Sequence, residues 1–399
     1  MNIAVAQSGG PTVAINASLL GVFEAAFKSR KIKTVYGSLN GIEGIIKDNL
    51  INLNDTLKSK ENREILKQTP ATALGSCRYK LPDYTLDSKV YETITENLIK
   101  HNIKAFFYIG GNDSMDTTAK LSEYMSQNDI DIKVIGVPKT IDNDLLITDH
   151  TPGFGSAAKF VTTALSEIVR DSSVYDLKSV TIVEIMGRHA GWLTASTCLL
   201  HNEGELAPHL IYLPEAEFST DKFLKDVAEK LEQYDSVIVA VSEGISLGEA
   251  KISATESFGH IALSGIGKQL EEVIKQSPIS CKTRSIELNV LQRCSAHISS
   301  KTDIEESVKI GSAAVKAALS GESGKMMCFK RVSDNPYKVE IISADAKDIA
   351  NGEKKFPKEW INEDGNNVNN DAFAYFIPLI KGENTIKTKN GLPLHLKLK

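Results

Sequence analysis

Short apolar runs alternate with longer amphipathic segments along most of the chain. Residues 3–6 (IAVA), 105–109 (AFFYI) and 180–185 (VTIVEI) are continuous apolar runs of strand length. Each is followed by a glycine-containing break and later by a segment of helical periodicity, for example at 14–27 and 190–200. Continuous apolar strands that alternate with helices are typical of parallel sheets covered on both faces. The pattern therefore predicts an α/β fold.

The same alternation continues to about residue 330. Further strands are predicted at 34–38, 133–137, 210–213, 237–241 and 285–291. Further helices are predicted at 91–101, 116–125, 157–169, 221–233, 266–275 and 304–318. So many strands indicate two Rossmann-like lobes, each with a mainly parallel sheet flanked by helices and with the active site between the lobes. We predict an N-terminal lobe at 1–148, a second lobe at 149–330, and a C-terminal extension at 331–399 that packs on the lobes.

Composition narrows the class of protein. Of the 399 residues, 42% are hydrophobic and 24% are charged, which is ordinary for a soluble globular protein. The net charge of −5 argues against a general nucleic-acid binder. The five cysteines show no C-x-x-C spacing, and no apolar stretch approaches the ~20 residues that span a bilayer. The chain opens on a strand-like run without the basic segment of a signal peptide, so we expect a cytoplasmic protein that binds neither nucleic acid nor membranes.

Two glycine-rich loops follow predicted strands, at the edge where doubly wound sheets bind ligands. Residues 8–10 (SGG) would let backbone N–H groups approach an anion, although a plain tight turn explains them equally well. In residues 110–114 (GGNDS), Asn112 and Asp113 could offer oxygen ligands to a phosphate-bound Mg²⁺. A helix-capping role is the alternative there, and the two roles are compatible.

The densest group of reactive side chains is in residues 138–144 (PKTIDND), directly after a predicted strand. A carboxylate in this loop could take the proton of an attacking hydroxyl, and a second could organise Mg²⁺. Lys139 could neutralise charge on a transferring phosphoryl group. A charged surface turn is the competing interpretation, but the strand context favours a site.

Three weaker signals follow later strands. Arg188 in residues 186–188 (MGR) could grip a phosphate, and Glu243 in residues 242–244 (SEG) could accept hydrogen bonds from sugar hydroxyls. Arg284 and Arg293 flank a strand-like stretch and would suit an anionic 6-phosphate. Each of these signals is common at strand ends or on surfaces when it stands alone.

Together these motifs resemble the 6-phosphofructokinases. The matching segments fall in the family's order over about residues 1–320, at 9–10, 75–78 (GSCR), 110–114, 138–144, 186–188, 242–244 and 284–293. The resemblance implies an enzyme of glycolysis and gluconeogenesis that phosphorylates the 1-hydroxyl of fructose 6-phosphate. It further implies Mg²⁺ as cofactor and a homodimer or homotetramer as the active unit.

The resemblance also implies roles for individual residues. Asp142 resembles the base, and its expected catalytic partners are Lys139, Asp113, Thr140, Asp144 and Arg188. The donor phosphates are expected to bind Gly10, Arg78, Asp113, Ser114 and Lys139. The sugar phosphate is expected to bind Thr140, Ile141, Asp142, Met186, Gly187, Arg188, Glu243, Arg284, Val290 and Arg293, with Arg284 reaching across a subunit interface. The metal is expected at Asn112, Asp113 and Asp144.

The donor can be inferred from two positions. ATP-using members resemble this pattern with glycine where Asp113 and Lys139 stand. Here Asp113 would fill the room of the nucleotide and repel its α-phosphate, while Lys139 would help hold inorganic pyrophosphate. With these two residues the chain resembles the pyrophosphate-dependent branch of the family, in which pyrophosphate donates the phosphoryl group reversibly.

Departures from the family and other functions remain open at this point. Asn112 stands where the family usually has an aspartate that binds Mg²⁺, so Asp113 is the alternative ligand. Val290 replaces a histidine or tyrosine that is common in the segment that binds the 6-phosphate. The alternatives to the function above are the same reaction with ATP, transfer to sedoheptulose 7-phosphate, and a catalytically silent sugar-phosphate sensor.

Overall fold

A computed structural model describes residues 1–247, 265–350 and 352–398. Its strands are, in chain order, β1 (Asn2–Gln7), β2 (Val35–Ser38), β3 (Leu50–Asn52), β4 (Ile103–Gly110), β5 (Lys133–Pro138), β6 (Ser179–Ile185), β7 (Leu210–Tyr212), β8 (Ser236–Ser242), β9 (Lys282–Glu287), β10 (Lys325–Asp334), β11 (Tyr337–Asp345), β12 (Thr388–Lys389) and β13 (Leu392–Pro393). Among the described residues we find no helix whose length and hydrophobicity would let it span a bilayer.

The helices occupy the connections between the strands. They are, in chain order, α1 (Ile15–Lys28), α2 (Ile42–Ile46), α3 (Leu53–Leu57), α4 (Lys60–Gln68), α5 (Lys89–Lys100), α6 (Asn112–Gln127), α7 (Phe154–Ser172), α8 (Trp192–Ala195), α9 (Leu199–Asn202), α10 (Thr220–Gln233), α11 (Ile266–Lys275), α12 (Lys301–Leu319), α13 (Ala346–Ile349) and α14 (Asp371–Phe376). Short 3₁₀ turns occur at Ser196–Cys198, Asn289–Arg293, Ala296–Ile298, Lys358–Trp360 and Ile377–Ile380.

Two sheets form the framework. The larger has seven described strands in the order β11-β10-β5-β4-β1-β2-β3, in which only the edge strands β3 and β11 run antiparallel to their neighbours. The smaller is entirely parallel, in the order β7-β8-β6-β9. Apolar clusters cover both faces of the larger sheet, because its central strands contribute side chains to a core on each side. The predicted α/β fold with mainly parallel, helix-flanked sheets is therefore confirmed.

Residues 190–200 do not form the single helix that their periodicity predicts. The segment is broken into α8, a 3₁₀ turn and α9. Ser196 Oγ donates to the carbonyl of Leu193 (2.6 Å), and Thr197 Oγ1 donates to the carbonyl of Thr194 (2.7 Å). Hydroxyls that bond to carbonyls of the preceding turn compete with the backbone hydrogen bonds of a regular α-helix. Here they occur where the α-helix gives way to the tighter 3₁₀ turn.

The predicted strand at 285–291 is also wrong in its second half. Strand β9 begins earlier and ends at Glu287, and the chain then turns into the 3₁₀ segment Asn289–Arg293. Asn289 has a positive φ of 41°, which is incompatible with continued strand geometry. The turn leaves Val290 about half exposed.

Helix α12 and the strands after it return to the larger sheet. Strand β10 pairs in parallel with β5, and β11 pairs with β10 in an antiparallel ladder. Residues 325–345 therefore extend the sheet that is built mainly by the first part of the chain. The division at residues 148 and 330 stays a prediction, because no boundary between folding units is defined by these contacts.

The contact between α1 and α12 depends on glycine in both helices. A Cβ on Gly311 would lie 2.2 Å from the carbonyl oxygen of Ser18, and a Cβ on Gly21 would lie 2.1 Å from that of Val308. Rotation of a side chain cannot make room for either Cβ, because the atom in the way is a backbone carbonyl oxygen in both cases. The two helices can therefore approach this closely only with hydrogen in place of a side chain.

We expect Gly311→Ala to lower the free energy of unfolding by about 2 kcal/mol, because overpacking of the helix contact outweighs the ~1 kcal/mol gain in helix propensity. Urea unfolding of the variant and the wild type measures this difference. Lys309→Ala, on the exposed face of the same helix, is the control and should change stability little. A Gly311→Ala variant as stable as the wild type would contradict this account of the packing.

Candidate active site

A cavity of about 410 Å³ lies where loops from the two sheets face each other. Its walls are formed by the loops that follow β1, β4 and β5 on one side and β6 and β8 on the other. The structure brings the following predicted residues together around this cavity: Gly10, Arg78, Asn112, Asp113, Ser114, Lys139, Thr140, Ile141, Asp142, Asp144, Met186, Arg188, Glu243 and Arg293.

The loop after β1 approaches the side chain of Lys139. Lys139 Nζ donates to the carbonyl of Gly10 at 2.7 Å, and a Cβ on Gly9 would lie 3.1 Å from the same nitrogen. Gly9 has a positive φ of 74°, a conformation that glycine adopts without strain. A Cβ on Gly10 would lie 3.3 Å from Nη1 of Arg293. The glycines thus allow two cationic side chains to lie directly against backbone at this end of the cavity.

Lys139 is buried, with only 3% of its surface exposed. Burial lowers its pKa to about 8, since the charged form loses water, and the nearby Arg293 and Arg78 act in the same direction. Asp142 and Asp144 oppose this shift. An anion that entered the cavity would restore the favourable environment for the ammonium group, so this end of the cavity is suited to a polyanion.

Asp142 follows Lys139 closely in the loop after β5. Burial, and then the carboxylates of Asp144 and Glu243, together raise its pKa to about 7, against the opposing effect of Lys139. Asp142 N–H donates to Oγ1 of Thr140 at 3.1 Å, which ties the carboxylate-bearing turn to the start of the loop. A carboxylate with a pKa near neutrality can both accept and return a proton at physiological pH.

The first turn of α6 supplies the amide and carboxylate of residues 110–114. The helix begins at Asn112, earlier than predicted, so these groups lie at a helix N-terminus. Asn112 Nδ2 is 3.5 Å from Oδ2 of Asp144, and burial raises the pKa of Asp144. Asn112 Oδ1 is buried without a hydrogen-bond partner. A buried carbonyl oxygen without a partner is costly, so this atom is suited to a ligand that enters the cavity.

Asp113 lies at the mouth of the cavity and is not part of its buried end. Its side chain is 56% exposed, and its Oδ1 forms an ion pair with Nζ of Lys80 at 3.0 Å. An ion pair this exposed adds little to stability. It joins residues 78–80 to the first turn of α6 beside the cavity.

The second sheet contributes Arg188 and Glu243. Nε of Arg188 lies 3.8 Å from Oε1 of Glu243, and the same Glu243 oxygen accepts from the N–H of Gly187 at 3.4 Å. Gly187 has a φ of 133°, and a Cβ on Gly244 would lie 1.9 Å from the carbonyl oxygen of Arg188. The two loops after β6 and β8 therefore pack backbone to backbone, which fixes a cation and a carboxylate side by side.

Comparisons with known proteins agree with this geometry. The family model described as "Phosphofructokinase" matches residues 2–318. The chain belongs to the phosphofructokinase family. It is 42% identical to a protein of Xanthomonas campestris pv. campestris and 40% identical to one of Halomonas elongata, both named pyrophosphate–fructose 6-phosphate 1-phosphotransferase, over 100% of this chain and 96% of each relative.

A solved structure confirms the fold at the level of the whole chain. The crystal structure of a pyrophosphate-dependent phosphofructokinase from Nitrosospira multiformis matches with a TM-score of 0.90 at 36% identity. The match covers 100% of this chain and 96% of that one. Both the sheets and the C-terminal part after residue 318 therefore have counterparts in that structure.

Three residues predicted for the sugar phosphate do not line the cavity of this phosphofructokinase. Gly187 lies next to it and contributes its N–H to Glu243. Val290 lies on the exposed 3₁₀ turn after β9. Arg284 lies elsewhere, where its guanidinium contacts Asp171 (2.8 Å) and, from Nε, Thr181 (3.1 Å). Within one chain the side chains of Val290 and Arg284 therefore do not line the cavity that holds the catalytic groups.

The structure also adds residues that the sequence did not indicate. Thr12 lines the cavity, and its Oγ1 accepts the N–H groups of Ala14 (3.2 Å) and Ile15 (3.0 Å), where the chain enters α1. Glu353 reaches the cavity from the C-terminal part of the chain. No local pattern marks Glu353, because the other residues of the cavity lie far from it in sequence, Arg293 being the nearest.

Proposed function

We propose that the protein transfers a phosphoryl group from inorganic pyrophosphate to the 1-hydroxyl of fructose 6-phosphate. The products are fructose 1,6-bisphosphate and phosphate. We expect a readily reversible reaction, because transfer from pyrophosphate is closer to energetic balance than transfer from ATP. The observation that carries the proposal is a buried lysine and a carboxylate of raised pKa in one cavity, Lys139 and Asp142, in a chain of this family.

The proposed reaction uses Asp142 as the base. The proton of the 1-hydroxyl passes to the Asp142 carboxylate as the hydroxyl oxygen attacks the nearer phosphorus of pyrophosphate. The bridging phosphorus–oxygen bond then breaks, and inorganic phosphate leaves with the bond's electron pair. In the reverse direction protonated Asp142 returns the proton to the sugar oxygen, so a pKa of about 7 serves both directions.

Lys139 is proposed to stabilise the charge that develops during transfer. Its ammonium group lies at the buried end of the cavity, held by the carbonyl of Gly10. Phosphoryl transfer is accelerated mainly by positioning and by fixed charge, and fixed charge is most effective where water is excluded. Arg78 and Ser114, which line the same cavity, would complete the binding of the donor.

The residues present fit a magnesium ion bound together with phosphate. The buried Asn112 Oδ1 lacks a partner, and the Asp144 carboxylate lies beside the same amide. Within the part of the chain that the structure describes, no three His, Cys, Asp or Glu side chains form a metal-binding cluster, so the remaining ligands would be phosphate oxygens and water. When bound, Mg²⁺ would neutralise phosphate charge. We propose Asn112 and Asp144 as its protein ligands, with Asp113 as the alternative.

The acceptor is proposed to bind on the side of the second sheet. Arg188 offers a cation and Glu243 a hydrogen-bond acceptor, both of them beside Met186 at the cavity wall. Arg293 reaches the opposite wall near Gly10, where it would contact phosphate. Sedoheptulose 7-phosphate presents the same attacking hydroxyl with one more carbon, so it stays an alternative acceptor.

The active unit is proposed to be a homodimer or a homotetramer. In the family resemblance, the counterpart of Arg284 reaches into a neighbouring subunit. Here the side chain of Arg284 is 43% exposed, and its guanidinium donates to groups of its own chain such as Ser172 Oγ (2.9 Å). Light scattering on the purified protein distinguishes a monomer from a dimer or tetramer, and a monomer with full activity would contradict this part of the proposal.

The test of the function is the rate of fructose 1,6-bisphosphate formation from fructose 6-phosphate and Mg²⁺, with pyrophosphate and ATP compared in parallel. We expect turnover with pyrophosphate and little or none with ATP. Turnover with ATP alone would contradict the donor assignment and leave the base in place. Absence of turnover with either donor, together with retained sugar-phosphate binding, would favour the sensor.

A further inference from the structure

The loop that carries the proposed catalytic carboxylates has little regular structure of its own. We call residues 139–149, which follow β5, the catalytic loop. Asn143 lies in this loop with a positive φ of 57°, between Asp142 and Asp144. Its conformation therefore sets the directions in which the two neighbouring carboxylates leave the backbone, and backbone groups in such a loop need partners from elsewhere.

Those partners come from the C-terminal part of the chain. Lys354 Nζ donates to the carbonyls of Thr148 (3.0 Å) and Asp149 (2.6 Å) and approaches Oδ1 of Asn143 at 3.3 Å. The backbone N–H of Lys354 donates to the carbonyl of Asp144 at 2.7 Å. One residue thus bonds to four positions of the catalytic loop.

Tyr375 completes the arrangement. Asn143 Nδ2 donates to the hydroxyl of Tyr375 at 2.7 Å, and that hydroxyl donates to the carbonyl of Asp149 at 2.6 Å. Both ends of the Asn143 amide are therefore bonded, one to Lys354 and one to Tyr375. We call these two side chains the C-terminal clamp.

The clamp is itself fixed by aromatic packing. Trp192 Nε1 donates to the carbonyl of Lys354 at 2.9 Å, and the ammonium group lies 5.0 Å from the centroid of the Trp192 ring. The ring of Tyr375 packs on Trp192 and on Trp360, at 5.1 Å and 5.7 Å between centroids. Contacts with Trp192 and Trp360 thus fix the positions of the Lys354 ammonium group and the Tyr375 hydroxyl.

We propose that Lys354 and Tyr375 are positioning residues for phosphoryl transfer, which act through Asn143 to hold Asp142 and Asp144 in their reactive directions. This inference rests on the proposed function, since it assigns the clamp to that reaction. Both residues lie beyond residue 318, where the match to the family model ends. The C-terminal part of the chain therefore serves the site as well as the fold.

Tyr375→Phe is the sharpest test, because it keeps the ring and removes only the hydroxyl. Loss of that hydroxyl frees one end of Asn143, and we expect kcat to fall about tenfold through misplacement of the loop while KM for fructose 6-phosphate changes less than about twofold. Hydrogen exchange at the amides of 139–149, measured without substrate, should become faster. Lys354→Gln, which removes the charge and shortens the side chain, should lower kcat at least as much.

Tyr212→Phe is the matched control. Its buried hydroxyl donates to Oδ2 of Asp226 at 2.8 Å, away from the catalytic loop, so its removal should lower Tm without changing kcat or exchange at 139–149. Wild-type kcat and wild-type exchange at 139–149 in folded Tyr375→Phe and Lys354→Gln would overturn the proposal. Absence of turnover in the wild type would contradict the proposed function instead, and the exchange comparison would still decide whether the clamp holds the loop.

Discussion

Asp142→Asn is expected to lower kcat by about 10³-fold while fructose 6-phosphate still binds, because removal of a general base costs about 10²–10⁴-fold. Asparagine keeps the size of the side chain and cannot accept the proton of the 1-hydroxyl at neutral pH. The change also removes the negative charge that adjoins Asp144, so binding of anionic substrates should not weaken. Initial rates in both directions measure the loss of turnover, and calorimetry measures binding.

Two further observations make this prediction specific. A variant cannot change the equilibrium constant of the reaction, so the forward and reverse efficiencies must fall in a common proportion. Asp221→Asn makes the same chemical change on the exposed first turn of α10 and should leave both rates unchanged. Retention of wild-type turnover by Asp142→Asn would contradict the assignment of the base. Loss of sugar-phosphate binding, with the fold intact, would favour the sensor.

The part of the site that could be predicted from sequence lies in loops that directly follow central strands of the larger sheet. Strands β1, β4 and β5 are adjacent and parallel, so the loops after them meet at one edge. Their motifs were recognisable because each follows an apolar run directly and is only a few residues long. The position of a side chain such as Lys139 near Gly10 then follows from the strand order.

The part that could not be predicted depends on contacts across long sequence separations. Strand β11 lies at the sheet edge with mostly half-exposed, alternating residues, so it lacks the apolar runs that marked the central strands. Strand β10 has one short buried run, residues 326–329, and only its pairing with β5 places it in the larger sheet. Lys354 and Tyr375 belong to irregular or short helical segments with no recognisable motif, and only the fold places them on the catalytic loop. Val290 was misplaced for a local reason, since the turn at Asn289 ends the strand before it.

The second large effect is expected for the donor. In Asp113→Gly with Lys139→Gly, pyrophosphate-dependent kcat/KM should fall by at least about 10²-fold, because a preorganised charge is lost from a site that excludes water. ATP-dependent turnover should rise above that of the wild type. Removal of Asp113 breaks the ion pair with Lys80 and opens the mouth of the cavity, and removal of Lys139 frees the space beside Gly9 and Gly10.

The single variants separate the two effects. Lys139→Gly alone should lose pyrophosphate activity without gaining much with ATP, because the carboxylate of Asp113 still repels the α-phosphate at the mouth. Asp113→Gly alone should weaken selection against ATP more than it weakens transfer from pyrophosphate, since the Asp113 side chain is exposed and lies outside the buried end of the cavity. Lys80→Ala removes the ion pair and keeps the Asp113 carboxylate. It is therefore the control that separates loss of the ion pair at the mouth of the cavity from loss of the carboxylate. Full pyrophosphate activity and no gain with ATP in the double variant would show that donor choice is determined elsewhere in the cavity.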